Sequence, residues 1–473
     1  LLGGLAGVLL KNIVHFPHEL ITESQIIGKA YFLYFALPLF GIFLTVLFVK
    51  YIVKDDISHG ITRVLYAISR NKSRIKPHNT FTSMIASTLT VGFGGSVGLE
   101  APIVLTGSAI GSNVAKFFKL NYHTVTLMIG CGSAGAIAGI FNAPIAGILF
   151  ALEVLMLDLT TGSIIPLMIS AVTGTVVSHF FMGREVVFSF TIYDLIILEK
   201  LPYYILLGMI CGFVSIYVTR GIKYFEGYAN SITNSYKKMI LGGIILGILI
   251  YFFPPLYGEG YNSLKSIITG NASDLASGKV FYGIDNNYWL FLVYLFFILV
   301  FKVVAVSATT GSGGIGGIFA PALFMGGITG FIISRVFNGL NFFSVSERNF
   351  TLAGMAGVMA GIMHAPLTAI FLIAELTGGY SLFIPLIITA TGAYVTSKYF
   401  EPHSIYTDRL AKRGELITHH KDKAVLTLLK LDTVIEKDFI SVDPEAKLSD
   451  LVKAISCSKR NIFPVVDADN NFH

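Results

Sequence analysis

Long apolar runs alternate with short polar segments along most of the chain, and this pattern predicts membrane-spanning helices. The runs from Tyr31 to Val49, Met239 to Leu256 and Tyr288 to Phe301 approach or reach the ~20 residues that cross a bilayer. Roughly ten apolar segments lie between Leu1 and about Tyr399, and many are interrupted by glycine or proline. We therefore predict an all-α polytopic membrane protein with broken helices.

The pattern changes from Lys412 onward, where lysine, aspartate and glutamate recur regularly. Two short β-rich runs, "FISV" and "IFPVVD", flank "AKLSDLVKAI", whose apolar residues recur at helical spacing. The tail is therefore predicted to be a soluble α/β fragment. Because so short a unit cannot bury a stable core alone, we expect the chain to end inside a domain. The N-terminal segment has no signal-peptide features, and we expect it to be the end of a longer helix.

An internal repeat divides the apolar part into two related halves. The stretch Ala138 to Leu155, "AGIFNAPIAGILFALEVL", aligns without gaps to Ala360 to Thr377, "AGIMHAPLTAIFLIAELT". "GLEAP" at Gly98 precedes the first copy by 40 residues, and "GIFAP" at Gly317 precedes the second by 43. Close packing of small residues explains one such match, but two matches in the same order favour a duplicated transporter. Such transporters commonly bind their substrate where the halves meet.

Both five-residue motifs have the composition of a helix start. Proline suits the first turn of a helix, and glycine lets the chain enter it at an unusual angle. A helix start inside a membrane has unpaired N–H groups and the positive end of the helix dipole, so it attracts an anion or a carboxylate. Two converging starts would bind an anion without a fixed positive charge and still release it.

Glu100 is the one ionisable residue of "GLEAP", and Phe319 stands at its position in "GIFAP". A carboxylate at such a helix start can occupy the anion site and leave it when protonated. The alternative is a simple cap, but carboxylates within a membrane are functional by default. By contrast, Glu153 and Glu375 occur symmetrically, which favours a shared structural role in bonding backbone groups at a helix junction. Asn142 and His364 are expected to be structural for the same reason.

Composition and charge narrow the function further. Hydrophobic residues make up 54% of the chain and charged residues 13%, about half the share of a soluble domain. The net charge of +6 does not point to nucleic acid, because seven Lys or Arg against two Asp cluster between Lys50 and Lys76. This loop is expected on the cytoplasmic side. The three cysteines suggest neither a metal site nor a disulfide framework. "CGSAG" lacks the first glycine of a nucleophile elbow and has no evident Asp or His partner, so we predict no enzyme.

These residues resemble the CLC family of chloride channels and chloride/proton antiporters. The family's GxExP and GxFxP motifs stand here as "GLEAP" and "GIFAP", and "FNAP" is also typical of it. The resemblance implies an inverted repeat forming the anion pathway over residues 1–410. It also implies a cytoplasmic linker over 411–430 and a partial CBS domain over 431–473. A complete CBS domain can bind a nucleotide; no other cofactor is expected.

The resemblance further implies a homodimer in the plasma (cell inner) membrane, with one anion pathway per subunit and a cytoplasmic tail. Chloride is the transported ion, and protons are the second candidate. Glu100 matches the gating glutamate of the family. The implied anion-binding positions are Ser58, His59, Gly98, Ile318, Phe319 and Tyr406.

Two departures from the family pattern bear on mechanism. The family's GSGIP motif appears as "SHGIT", which puts His59 at the serine position and Ser58 one residue earlier. Anion selectivity is then in question, and protonation of His59 is expected to alter conduction with pH. Family antiporters carry an internal proton-transfer glutamate immediately after the position of Glu153, where this chain has Val154. We therefore expect a channel-like or weakly proton-coupled chloride pathway, with a chloride/proton antiporter as the alternative.

Overall fold

The computed structural model describes residues 1–23, 33–157, 161–183, 198–276, 280–281, 283–340, 344–415, 440–458 and 462–467. Two compact units divide the chain, Leu1–Leu416 and Ile417–His473. Within the described ranges, strand pairing is limited to two isolated bridges, and all other regular structure is helical.

The first half of the larger unit is built from helices of very different length. They are α1 Leu2–Glu23, α2 Leu33–Leu47, α3 Gly60–Arg70, α4 Thr82–Gly92, α5 Glu100–Phe117, α6 Tyr122–Phe141, α7 Pro144–Glu153 and α8 Thr161–Met182.

The second half repeats this alternation of long and short helices. It contains α9 Leu201–Ser231, α10 Ser235–Phe252, α11 Tyr261–Thr269, α12 Tyr288–Gly311, α13 Phe319–Gly339, α14 Glu347–Met363, α15 Pro366–Leu376, α16 Phe383–Phe400 and α17 Asp408–Lys412.

Seven helices in the described part of the chain are long and apolar enough to cross a membrane. They are α2 together with the π-helical segment Phe48–Val53 that continues it, and α6, α8, α9, α10, α12 and α13. Three shorter apolar helices lie in α1, α7 and α15. The prediction of an all-helical polytopic membrane protein with interrupted helices is confirmed.

The two halves have the same backbone geometry at the ends of their equivalent helices. The residue before α5, Leu99, has φ −90° and ψ −7°, and Ile318 before α13 has φ −97° and ψ −4°. Asn142 after α6 and His364 after α14 are both left-handed, with φ of 56° and 55°. Asn and His tolerate this conformation better than most side chains, which explains their structural role at these helix ends.

The two copies bond to each other at their helix starts. Gly98 and Gly317 form an antiparallel bridge, in which each N–H donates to the other's carbonyl, at 2.9 and 2.7 Å. Because the paired segments run in opposite directions, α5 and α13 begin at one place and diverge, as an inverted repeat requires. Thr309 accepts a hydrogen bond from the N–H of Ser96 at 3.2 Å, and Thr90 accepts one from that of Ile315 at 2.9 Å.

Close helix contacts in each half depend on glycine. A Cβ on Gly107 of α5 would lie 2.3 Å from the carbonyl oxygen of Gly132 on α6. In the other half a Cβ on Gly326 of α13 would lie 2.3 Å from that of Gly354 on α14. Small residues let membrane helices approach at backbone distance, which fixes the positions of the two helix starts.

In the smaller unit the predicted helix is present as α18, Leu448–Cys457. The two predicted strands are represented by one parallel bridge between Val442 and Val465. The larger part of the predicted linker lies outside the described residues.

Candidate functional site

Three helix starts meet at one place in the larger unit. The starts of α5 and α13 are joined by the Gly98–Gly317 bridge. The start of α3 packs against them, since a Cβ on Gly60 would lie 2.5 Å from the carbonyl oxygen of Ala101. Helix starts concentrate positive partial charge, so this point favours an anion.

The carboxylate of Glu100 lies over this meeting point. Glu100 is 1% exposed, and its Oε2 has no hydrogen-bond partner among the described residues. Built Cβ atoms on Gly98 and Gly317 would lie 2.0 and 3.3 Å from that oxygen. The two motif glycines therefore leave the space that the carboxylate fills. Sequence reasoning placed Glu100 at the helix start; the structure shows its carboxylate turned toward both halves.

Tyr261, the first residue of α11, bonds directly to Glu100. Its hydroxyl donates to Glu100 Oε1 at 3.2 Å. Two residues earlier, Glu259 Oε1 accepts a hydrogen bond from the N–H of Leu99 at 3.1 Å. Neither residue was predicted from the sequence, although Glu259 in "GEGYN" has the same signal as Glu100, a lone carboxylate near apolar runs.

Phe319 fills the second half's equivalent of the Glu100 position. It is fully buried, and its ring stacks on Phe141 of "FNAP" with centroids 5.3 Å apart and planes inclined by 19°. The stacked pair joins one motif of each half and walls the site with apolar surface. Ile318, which precedes Phe319, is 7% exposed.

Tyr406 is brought to the same site from the turn before α17. It is buried, its hydroxyl has no hydrogen-bond partner within the described ranges, and the charge of Glu100 acts on it. Its carbonyl oxygen accepts a hydrogen bond from the Thr62 hydroxyl of α3 at 3.1 Å. The structure thus brings Gly98, Glu100, Ile318, Phe319 and Tyr406 together.

Ser58 and His59 immediately precede α3 and line a charged cavity. The Ser58 hydroxyl donates to Asp56 Oδ1 at 2.6 Å, and its N–H donates to the same oxygen at 2.9 Å. Burial and the charge of Arg409 lower the pKa of His59 to about 4. The ring is therefore neutral near pH 7, and any effect of its protonation on conduction is confined to acid conditions.

These two residues line a cavity of about 380 Å³ that is rich in charge. Its wall contains five cationic side chains and two carboxylates: Arg63, Arg74, Lys76, Arg409, Arg413, Asp55 and Asp56. The excess of positive charge favours anions here.

Glu153 and Glu375 lie apart from the anion site and have a structural role, as predicted. Glu375 accepts hydrogen bonds from the N–H groups of Ile145 and Ala146 at 3.0 and 2.9 Å. Glu153 accepts equivalent bonds at the start of α15. Val154 is buried, and the described residues contain no group of three His, Cys, Asp or Glu placed to hold a metal.

Comparison with known proteins identifies the family. The voltage gated chloride channel family matches residues 40–398. The chain belongs to the CLC family. Members of this family are transporters or channels rather than enzymes, and the chain is an integral multi-pass membrane protein.

The relatives of this CLC protein include both named types. It is 30% identical to the H(+)/Cl(-) exchange transporter ClcA of Vibrio campbellii over 427 residues, 86% of each chain. It is 29% identical to chloride channel protein CLC-e of Arabidopsis thaliana over 358 residues, 70% of this chain and 48% of that protein. A slow cyanobacterial Cl-/H+ antiporter of known structure shares its fold, with a TM-score of 0.75 at 24% identity, over 87% of this chain and 96% of that one.

Proposed function

We propose that this CLC protein carries chloride across the membrane between its two halves and that Glu100 is the gate. One observation carries the proposal: the Glu100 carboxylate lies over Gly98 and Gly317, where two helix starts are bonded to each other. A carboxylate is itself an anion, so in this position it competes with chloride for the same N–H groups. Ile318, Phe319 and Tyr406 complete the wall of the anion site.

Protonation is the event that opens such a gate. An ionised Glu100 is attracted by the positive ends of α5 and α13, whereas a neutral one is not. Protonated Glu100 then leaves, and chloride takes its place. Partial charges hold chloride weakly enough for release, which suits rapid transport.

The residue at position 154 favours channel-like or weakly proton-coupled chloride transport. Val154 has no proton to give, and it stands at the position that the internal glutamate of family antiporters matches. The positively charged cavity beside Ser58 and His59 supports a role in supplying anions to the pathway.

Chloride flux from proteoliposomes tests the gate. Wild-type flux is expected to rise as the pH falls, and Glu100→Gln is expected to give a high flux that is largely independent of pH. Asp274→Asn, which removes an exposed carboxylate bonded to Ser266, is the matched control and should behave as wild type. Unchanged pH dependence in Glu100→Gln would refute the gate.

Chloride/proton exchange is the second candidate, and the name of the 30% identical ClcA relative favours it. A chloride gradient imposed on proteoliposomes decides between the two. Uphill proton movement at a fixed ratio to chloride would establish chloride/proton exchange and refute the channel-like proposal.

We further propose that the protein is a homodimer in the plasma (inner) membrane, with its tail in the cytoplasm. The cationic segment from Lys50 to Lys76 supports this orientation. The sequence predicts a loop here, but the segment contains α3, whose last residue Arg70 is one of its cations. The region after residue 431 is proposed to be part of a CBS domain, supported by α18 and the Val442–Val465 bridge.

A further inference from the structure

The segment from Leu256 to Tyr261 contacts the Glu100 gate and its helix start at the same time. The Tyr261 hydroxyl donates a hydrogen bond to the Glu100 carboxylate at 3.2 Å. Glu259 accepts the N–H of Leu99, the residue immediately before the gate, at 3.1 Å. Two carboxylates, Glu100 and Glu259, therefore share the first turn of α5.

Several contacts fix this segment in place. The hydroxyl of Ser96 donates to the Leu256 carbonyl at 2.7 Å, and the N–H of Gly258 donates to the Gly94 carbonyl at 3.3 Å. Lys302 is fully buried, and its Nζ donates to the Gly258 carbonyl at 3.1 Å. The position of Glu259 relative to the gate is thus set by the loop before α5 and by α12.

The two carboxylates differ in how much of their surface the surrounding chain covers. Glu100 is 1% exposed, whereas Glu259 is only partly buried. The charges that act on Glu259 come from Glu100, from Lys11 on α1 and from Lys302 on α12, and Glu259 also acts on the Tyr261 hydroxyl. Glu259 is therefore coupled to the gate and is the more accessible of the two carboxylates.

We propose that Glu259 is a second titratable group of the gate, and that its charge sets the pH at which Glu100 leaves the anion site. This inference rests on the proposed function of Glu100. Two carboxylates at one helix end repel each other, so an ionised Glu259 favours the neutral form of Glu100. When Glu259 is itself neutral, Glu100 keeps its charge more readily and the gate closes more firmly.

A purely structural role for Glu259 gives a different result. As a cap for the Leu99 N–H, it needs only an acceptor oxygen, which glutamine also supplies. Glu259→Gln therefore removes the charge and retains the cap. Tyr261→Phe removes the hydrogen bond that stabilises ionised Glu100, so it should shift the gate in the opposite direction.

The test is chloride efflux from proteoliposomes as a function of external pH. For Glu259→Gln we expect the midpoint to move to lower pH by about one unit, the size typical of a nearby like charge. For Tyr261→Phe we expect a shift to higher pH. In the Glu100→Gln background neither substitution should change the flat profile, and Asp274→Asn should leave the midpoint of the wild type unchanged.

The outcomes separate the two proposals. If Glu259→Gln retains the wild-type midpoint while Glu100→Gln flattens the profile, the inference is overturned and the gate stands. If Glu100→Gln keeps its pH dependence, the proposed function itself fails. The wild-type protein alone also tests the inference. Two coupled groups titrate over a broader pH range than a single group, so a plot of chloride efflux against pH that follows a single-proton curve would count against it.

Discussion

The Glu153 carboxylate accepts two hydrogen bonds from Thr368. The Thr368 N–H donates to Oε2 at 2.7 Å, and the Thr368 hydroxyl donates to the same oxygen at 2.8 Å. The relation is reciprocal, because Glu375 at the end of α15 accepts the first N–H groups of α7. Each half thus supplies the cap for a broken helix of the other half. Unpaired N–H groups inside a membrane are costly, so these two carboxylates hold the halves together.

We expect Glu153→Ala and Glu375→Ala each to lower the free energy of unfolding by about 1–3 kcal/mol, because buried N–H groups lose their acceptor. Thermal unfolding of the purified protein in detergent measures this loss. Glu347→Ala is the control, since its bond to Arg335 joins two partly exposed groups and should contribute less than about 1 kcal/mol. Equal losses in all three variants would contradict the cross-capping role.

The position of the gate carboxylate gives a second prediction. A Cβ on Gly98 would lie 2.0 Å from Glu100 Oε2 and 2.9 Å from the Cβ of Ala320. Gly98→Ala should therefore displace Glu100 and raise chloride flux at alkaline pH, where the proposed gate is closed in the wild type. Gly227→Ala on α9 is the control, because nothing lies within 4 Å of its added Cβ. If Gly98→Ala has the same chloride flux as the wild type at alkaline pH, Glu100 does not close the pathway from this position.

The sequence was sufficient for the helical architecture of the larger unit and for the position of Glu100 at a helix start. Hydrophobic runs, broken by glycine and proline, predict the helices, and the paired "GLEAP" and "GIFAP" motifs predict two related helix starts. Glu100 stands out because a lone carboxylate is rare in such surroundings. These features are local, and local patterns can be recognised along one chain.

The parts of the site that could not be predicted from the sequence are contacts between distant segments. Tyr261 and Glu259 reach the start of α5 from about 160 residues away, through a loop whose placement depends on Lys302 and Ser96. The low pKa of His59 likewise depends on burial and on Arg409 from α17, neither of which its neighbours in sequence indicate.

His59 makes stability depend on pH in a direction that can be measured. Burial and Arg409 lower its pKa to about 4, from an unperturbed value of about 6.5. As the pH falls from about 6.5 to 4, the unfolded chain binds a proton that folded His59 does not, so this residue destabilises the fold in that range. Above about 6.5 its contribution does not vary with pH.

We expect His59→Gln to reduce the acid-induced loss of unfolding free energy by on the order of 2 kcal/mol between pH 7 and 4. Denaturation profiles at several pH values provide the measurement. His123→Gln, at the exposed start of α6, is the control and should change the profile little. A His59→Gln profile that falls with acid as steeply as that of the wild type would show that His59 is protonated in the folded protein.

The native cysteines report the orientation of the tail. Cys457 on α18 is exposed, whereas Cys131 and Cys211 are buried. A membrane-impermeant maleimide should label Cys457 in inside-out vesicles and leave it unlabelled in right-side-out vesicles. Cys457→Ser is expected to abolish the signal. Labelling from the external side would place the tail outside the cell and overturn the proposed orientation.

Val154 offers a direct test of why proton coupling is expected to be weak. It immediately follows α7 and is 4% exposed, and its N–H donates to the Phe150 carbonyl at 2.9 Å. Val154→Glu introduces a titratable carboxylate at the position where the antiporters of this family have their internal glutamate, and it should raise the number of protons moved per chloride. A buried carboxylate is also destabilising, so a lower thermal unfolding temperature is expected. Val154→Gln has the same size and no titratable proton, and it should share the destabilisation but leave proton flux unchanged. If wild type, Glu and Gln variants move protons at the same ratio to chloride, the proton path does not pass residue 154.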